Sequence, residues 1–396
     1  MKFRKNLSIA LYKSRNLWYD RHNTMRRYAV CQKKKGSYLD MGLIEILKHF
    51  NIYVEPTIYG NGHINDTYIV HSDPKYILQR INKNVFTDPP AMMENIIGVT
   101  RFLREKIQAA GGNPDRETLK FMTTEDGKPY FVDDNGDYYR AYQYIDHVIS
   151  CTTVDSPDRL YHAAKAFGRF QNMLADYPAE TLHETIVQFH DTRKRFRDFV
   201  EAVDANKSGR ADTCRDEIQF VLDREADCSI VVDAIAKGEI PLRVTHNDTK
   251  LNNVLLDEVT GEGVCVIDLD TVMPGSLLYD YGDALRFGGS SGAEDEPDLS
   301  KIWFVMENFE AFTKGFLEEL VSITDKELEL LAFSIKLMTL ECGSRFLADY
   351  INGDTYFKTK YPEHNLVRAR TQFKLVADME AHMDEMNAIV HKLAGR

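Results

Sequence analysis

His246-Asn247-Asp248-Thr249-Lys250-Leu251-Asn252-Asn253 is followed by the apolar run Val254-Leu255-Leu256 and then by Val264-Cys265-Val266-Ile267-Asp268-Leu269-Asp270. The spacing is His-x-Asp-x-x-x-x-Asn with a further aspartate twenty residues after the first. Phosphoryl transfer needs a carboxylate to orient and deprotonate an attacking hydroxyl, and oxygen ligands to hold a divalent metal on the phosphates. Asp248, Asn253 and Asp268 offer those groups in an order that a loop, a strand and a turn would bring together. The short motif arises by chance in roughly a few per cent of chains this long, so its context matters. A competing reading makes the same acids turn caps. The two strand-like runs after Asn253 and before Asp268 weigh against it.

Working outward, residues 53 to 145 read as short β-rich runs. Thr67 to His71 and Tyr76 to Ile81 form a hairpin around Ser72, Asp73 and Pro74, and a helical stretch spans about Pro89 to Ala110. Further strand-like runs follow at Leu119 to Thr124, after Gly127, and ending at Ile145. Beyond Ile145 the periodicity is helical near 157–176, 182–203, 214–237, 299–320, 325–351 and 364–392. Only Pro241 to Gly289 interrupts it, with short strands and polar loops. The expected organisation is a basic extension over 1–40, a sheet-rich lobe over 41–146 and a helical lobe over 147–396. The expected fold class is α+β.

The chain has 396 residues, 43% of them hydrophobic, enough to bury a substantial core. No window approaches the roughly 18 apolar residues of a membrane span, and no secretory signal is evident, so a soluble cytoplasmic protein without membrane partners is expected. Cys31, Cys151, Cys214, Cys228, Cys265 and Cys342 are scattered without zinc spacing and read as reduced thiols. The net charge of −12 hides an asymmetry. Residues 1–40 carry eleven Lys or Arg against Asp20 and Asp40, a local +9 that leaves −21 on the rest. So acidic a body is not expected to bind nucleic acid. The basic segment reads as a disordered extension ahead of Met41, where an amphipathic pattern (Leu43, Ile44, Ile46, Leu47, Phe50) begins. An Arg-rich targeting peptide or a nucleic-acid arm are the alternatives.

The motif resembles that of the aminoglycoside phosphotransferase and choline kinase superfamily, relatives of the protein kinases. THNDTKLNN, VIDLDTVMPGSLLYDYGDALRFG and LADYINGDTYFKTKYPEHNLVR resemble the N-acetylhexosamine 1-kinases within it. The likeness runs from about Tyr53 to near the C-terminus. It implies a two-lobed, protein-kinase-like fold with a small antiparallel β N-lobe and a larger helical C-lobe. It implies Asp248 as base, Asn253 and Asp268 as magnesium ligands with Asp270 as an added carboxylate, and His246 and Asp283 as braces of the catalytic loop.

The same resemblance puts the turn Gly60-Asn61-Gly62-His63-Ile64-Asn65 in the place of a phosphate-covering loop, with Gly62 approaching the nucleotide, although a plain hairpin turn explains it as well. It implies that His63, Phe287, Arg345 and Tyr356 line a sugar site, where a ring stacks on a pyranose face and Arg and His serve hydroxyls and an acetamido carbonyl. Read without it, Phe287 is core and Arg345 a surface or salt-bridged residue. One departure stands out. The superfamily carries a third-strand lysine for the α and β phosphates, and YILQRI offers Gln79 and Arg80 instead. Glu94 is the available acid for a lysine partner. Gln143 and Ile145 sit where a hinge would receive adenine, or simply end a buried strand. The remaining histidines, His183, His190 and His364, fall on helical runs without metal spacing.

The expected activity is an ATP-dependent, magnesium-requiring phosphorylation of the anomeric hydroxyl of an N-acetylhexosamine by a monomer. Its rivals are a kinase of this fold for another alcohol, such as an aminoglycoside, choline, homoserine or another sugar, and a catalytically silent binding module.

Overall fold

A computed structural model describes residues 42–60, 64–154 and 156–395. The expectations placed on the basic segment, on Gly62 and on His63 lie outside those residues. Chain contacts divide the protein into two compact units, one running to Asn82 and including Phe121–Tyr144, the other Lys83–Lys120 with Ile145 onward.

The first unit is an antiparallel five-stranded sheet in the order β1-β2-β3-β5-β4. Its strands are β1 (Pro56–Ile58), β2 (Asp66–Val70), β3 (Tyr76–Arg80), β4 (Phe131–Val132) and β5 (Tyr138–Gln143). The β2–β3 hairpin matches its prediction, with Tyr68 opposite Leu78. Leu119 to Thr124 does not form a strand; only Phe121 bridges to Tyr142. A helix over 42–48, α1, covers one sheet face. Leu43, Leu47, Phe50 and Ile52 pack there with Val70, Leu78, Tyr139 and Ala141, so the apolar stripe after Met41 is the lid of this small core.

Gln79 and Arg80 point to opposite faces, as neighbours on a strand must. Gln79 Oε1 accepts from Arg140 Nε and Nη2 at 3.0 and 2.8 Å, and its Nε2 donates to Thr67 Oγ1 at 3.1 Å. Arg80 donates from Nε to Asp66 Oδ2 at 2.8 Å and reaches Asp137 at 3.4 Å. Both are engaged within their own sheet. The buried cation beside Gln79 is Arg140, on the facing strand.

The second unit holds α2 (Pro89–Ala109), α3 (Pro114–Glu117), α4 (Pro157–Met173), α5 (Thr192–Ala205), α6 (Arg215–Leu222) and α7 (Asp227–Ala236). After the stretch 237–276 come α8 (Leu277–Gly288), α9 (Met306–Glu319), α10 (Asp325–Glu329), α11 (Leu331–Asn352), α12 (His364–Ala381) and α13 (Met383–Ala394). Two small sheets interrupt the helices: β6 (Val148–Ser150) with β8 (Val254–Asp257) and β9 (Gly263–Val266), and β7 (Arg243–Thr245) with β10 (Met273–Gly275). Among the described residues no helix is long and apolar enough to cross a membrane.

Segment 83–120 groups with the helical unit, whereas the sequence boundary at 146 placed it with the sheet. The reason is its buried face. Asn95 on α2 donates through Nδ2 to Val272 O at 2.9 Å and His183 O at 2.8 Å, which ties α2 to the loop after β9. Glu94 pairs with His183 at 2.7 Å.

Helix α8 lies inside the stretch read as strands and loops. Every residue of it except Phe287 is buried, although its apolar residues recur at helical spacing with Asp280, Asp283 and Arg286 on one face. It lies so close to α11 that a Cβ on Gly282 would stand 2.5 Å from Ser334 O. The predicted helix over 182–203 begins only at Thr192, capped by the Asp191 side chain. Residues 183–191 form a loop, and His190 is on it.

Candidate active site

Residues 246–253 hold their shape through one carboxylate. Asp280 Oδ1 accepts from the backbone N–H of Asn247 at 2.7 Å, and Oδ2 accepts from His246 N at 2.9 Å and Gln171 Nε2 at 2.5 Å. Thr249 Oγ1 donates to the Asp280 carbonyl at 2.5 Å. Burial pushes the Asp280 carboxyl above its ordinary value, against the pull of His246 and the two backbone donors. The brace expected at Asp283 is therefore Asp280, one helical turn earlier on α8. Asp283 instead pairs with Arg286 at 3.0 Å. The run YDYGD carries both acids, and sequence spacing alone does not choose between them.

His246 does brace the loop. Its Nε2 meets Ile267 O at 2.8 Å, so this nitrogen carries the proton, and Nδ1 is left to accept the Asp248 N–H at 3.3 Å. Thr271 Oγ1 donates to His246 O at 2.6 Å and Asn247 Nδ2 to Thr271 O at 2.8 Å. Ile267 N donates to Asn253 O at 2.9 Å. These bonds stitch the loop to the segment bearing Asp268 and Asp270. Asn247 and Asp268 both sit at positive φ, 64° and 60°, a conformation that Asn and Asp tolerate better than most residues. Asp270 is buried.

Asp248 is partly open, and each of its oxygens has a partner. Lys250 Nζ stands 2.7 Å from Oδ1, and Asn253 Nδ2 donates to Oδ2 at 3.2 Å and to the Asp248 carbonyl at 2.8 Å. Burial pulls the Lys250 ammonium down, but Asp248 and Asp283 overcome it and hold its pKa above the ordinary lysine value. Asp283 is pushed up by burial, yet Arg286 and Lys250 hold it below the ordinary range. Lys250 lies inside the quoted motif, and its role there was not read from the sequence.

Arg345 and Tyr356 come together around two phenylalanines. The Arg345 guanidinium lies 5.6 Å from the Phe189 ring centre and 5.7 Å from that of Phe357. Arg195 lies 5.9 Å from the same Phe189 ring and donates to Phe189 O at 2.8 Å. Tyr356, 71% exposed, stands edge-on to Phe357 at 4.8 Å. Asp349 fixes that loop by accepting backbone N–H bonds from Thr355, Tyr356 and Phe357 at 2.8, 2.9 and 2.9 Å. Beneath Arg345, Glu341 lies 3.6 Å away and also meets His190 Nδ1 at 3.1 Å. Burial would raise the Glu341 carboxyl, and His190 with Arg345 reverses this and depresses it. Phe287 is half-buried on α8, one turn past Asp283. Gln143 ends β5 opposite Tyr76, and Ile145 is buried at the start of the next segment.

Among the described residues no group of three His, Cys, Asp or Glu is placed to hold a metal. Magnesium commonly uses only one or two protein oxygens and completes its shell with phosphates and water. The donors here suit it. Asn253 commits its amide nitrogen to Asp248, leaving its amide oxygen as a ligand, and Asp268 supplies a carboxylate.

The sequence pattern described as the phosphotransferase enzyme family matches residues 56–304. Among solved structures, a spectinomycin phosphotransferase in complex with ADP and spectinomycin is similar with a TM-score of 0.55 at 16% identity, covering 87% of this chain and 98% of its own. A microcompartment-associated aminopropanol kinase gives 0.58 at 14% identity over 88% and 98%. A choline kinase from Cryptosporidium parvum Iowa II gives 0.53 at 13% over 87% and 94%. These likenesses show the kinase-like fold.

Proposed function

The chain belongs to the phosphotransferase enzyme family and is a small-molecule kinase with an alcohol-group acceptor; from that premise we propose that it transfers the γ-phosphoryl group of ATP to the anomeric hydroxyl of an N-acetylhexosamine. The products are the sugar 1-phosphate and ADP. The observation that carries the acceptor class is the pair Arg195 and Arg345, whose guanidiniums share the Phe189 ring on the wall whose acid Glu341 reaches His190. Each faces an acid, Asp198 at 3.9 Å and Glu341 at 3.6 Å, so they offer N–H donors more than net charge, which suits an acceptor with carbonyl and hydroxyl oxygens.

Asp248 accepts the proton of the sugar O1 as that oxygen attacks. Lys250 Nζ on Oδ1 and Asn253 Nδ2 on Oδ2 fix its orientation. An anomeric hydroxyl is more acidic than an ordinary alcohol, so a carboxylate suffices as base. Phe287 offers a ring face to the pyranose, and Arg345 with Tyr356 serves its polar edge. His63 joins them in this reading. Gly62, Gln79 and Arg80, with the backbone at Gln143 and Ile145, are assigned to the nucleotide. Asn253 and Asp268, with Asp270 nearby, would hold magnesium, which neutralises charge on the phosphoryl oxygens when bound.

A panel of free sugars and amino alcohols with ATP, scored by ADP release, tests the reading. N-acetylglucosamine or N-acetylgalactosamine should be turned over, and phosphorus NMR should show a phosphate coupled to the single H1 proton. A 6-phosphate, or turnover of amino alcohols alone, would remove the hexosamine assignment.

A further inference from the structure

His190 is the least explained polar group in the helical unit. It is 9% exposed, and its two ring nitrogens are treated very differently. Nδ1 faces both oxygens of Glu341, at 3.1 and 3.2 Å. Nε2 is buried and has no hydrogen-bond partner among the described residues. A buried polar atom that has lost water and found no partner is destabilising, and in a native protein it calls for an occupant.

His190 also lines a cavity of about 180 Å³ together with Phe189, Asn247, Met273 and Tyr279. Asn247 is the residue immediately before Asp248. The imidazole is held in place on three sides. Glu341 grips Nδ1, Arg345 secures Glu341 from beyond at 3.6 Å, and the Phe189 and Tyr279 rings lie 4.3 and 5.4 Å from its centre. Such support fixes the direction of a ring nitrogen more firmly than packing alone requires.

With Nδ1 directed at the Glu341 carboxylate, Nε2 is the ring nitrogen left to accept a hydrogen bond. Its complement is a hydrogen-bond donor, in keeping with the acids Glu184 and Asp191 on the cavity lining, and a hydroxyl is the donor that the acceptor proposed above carries. We infer that His190 is a specificity-determining residue whose Nε2 accepts a hydrogen bond from a non-reacting hydroxyl of a neutral, polyhydroxylated acceptor seated in this cavity. Glu341 is its positioning residue. This rests on the sugar-kinase reading above and adds to it the residue that reads the sugar.

The test is a chemical double-mutant cycle on the full chain. N-acetylglucosamine and its 3-deoxy, 4-deoxy and 6-deoxy analogues are turned over by the wild type, by His190→Phe and by His190→Gln. For the wild type, one analogue should show a kcat/KM about ten-fold or more below the parent sugar, the penalty for leaving a polar site unpaired. His190→Phe should lose a similar factor on the parent sugar and nothing further on that analogue, with the KM for ATP unchanged. His190→Gln, which keeps an acceptor near the position of Nε2, should recover part of the loss. If His190→Phe does not fold, His190→Gln and the wild-type series still decide. A flat wild-type series, or variant losses equal on all four sugars, overturns the role of His190 while leaving the kinase assignment intact. No turnover of any of the four by the wild type overturns the sugar reading and this inference with it.

Discussion

Lys250 Nζ lies 2.7 Å from Asp248 Oδ1, two residues away on the same loop. The pair is partly open to solvent, so it adds little to stability and acts by fixing where the carboxylate points. With Asn253 Nδ2 on the other oxygen at 3.2 Å, the carboxylate proposed as base is held in one orientation.

Asp248→Asn is therefore expected to lower kcat by about 10³-fold, the scale of general-base catalysis, while ATP binding by calorimetry stays near the wild-type value. Asp268→Ala should instead weaken nucleotide binding in magnesium buffer, and addition of EDTA should abolish turnover of the wild type. Near-normal kcat in Asp248→Asn would falsify the assignment of the base.

The exchange of roles between Asp280 and Asp283 gives a sharper comparison. Asp280 accepts from the N–H groups of His246 and Asn247, both buried, so Asp280→Ala strands those donors and is expected to cost about 3 kcal/mol of stability. Its kcat should fall as well, because the loop presenting Asp248 loses its anchor. Asp283→Ala removes a partner of Arg286 and should leave the backbone of 246–249 in place. Urea denaturation with kcat measured on both variants decides it; equal effects on the loop would return the brace to Asp283.

Acid stability should carry the signature of Glu341 and Asp283. Both folded pKa values are depressed, Glu341 from 4.5 and Asp283 from 3.8. Their stabilisation is present above those ordinary values and is lost as pH falls through the lower folded ones. Asp280 is raised, so it gives the opposite slope just above 3.8, with stability rising there as pH falls. Urea midpoints measured downward from pH 5 should accordingly drop less steeply in Glu341→Gln than in wild type. An unchanged slope would show that Glu341 is not held by His190 and Arg345 in solution.

The local pattern alone disclosed a great deal here. His246, Asp248, Asn253 and Asp268 stand out as candidates because phosphoryl transfer needs their groups at short, ordered separations along one chain. The β2–β3 hairpin and α2 are legible because one face of each is buried, and period 2 or 3.6 records that burial. Helix α8 carries helical periodicity within a stretch otherwise built of short strands and loops, and the start of α5 was set by the Asp191 cap against an apolar run that began earlier. What only the tertiary structure decided is which distant groups share a charge. Asp280 reaches back 33 residues to Asn247, and Glu341 reaches 151 to His190. Those pairings depend on close approaches such as that of α8 to α11 at Gly282, where the space a side chain would need is filled by the Ser334 carbonyl. Sequence separation carries no information about such distances, because they are fixed by helix packing and not by the local preferences of either partner.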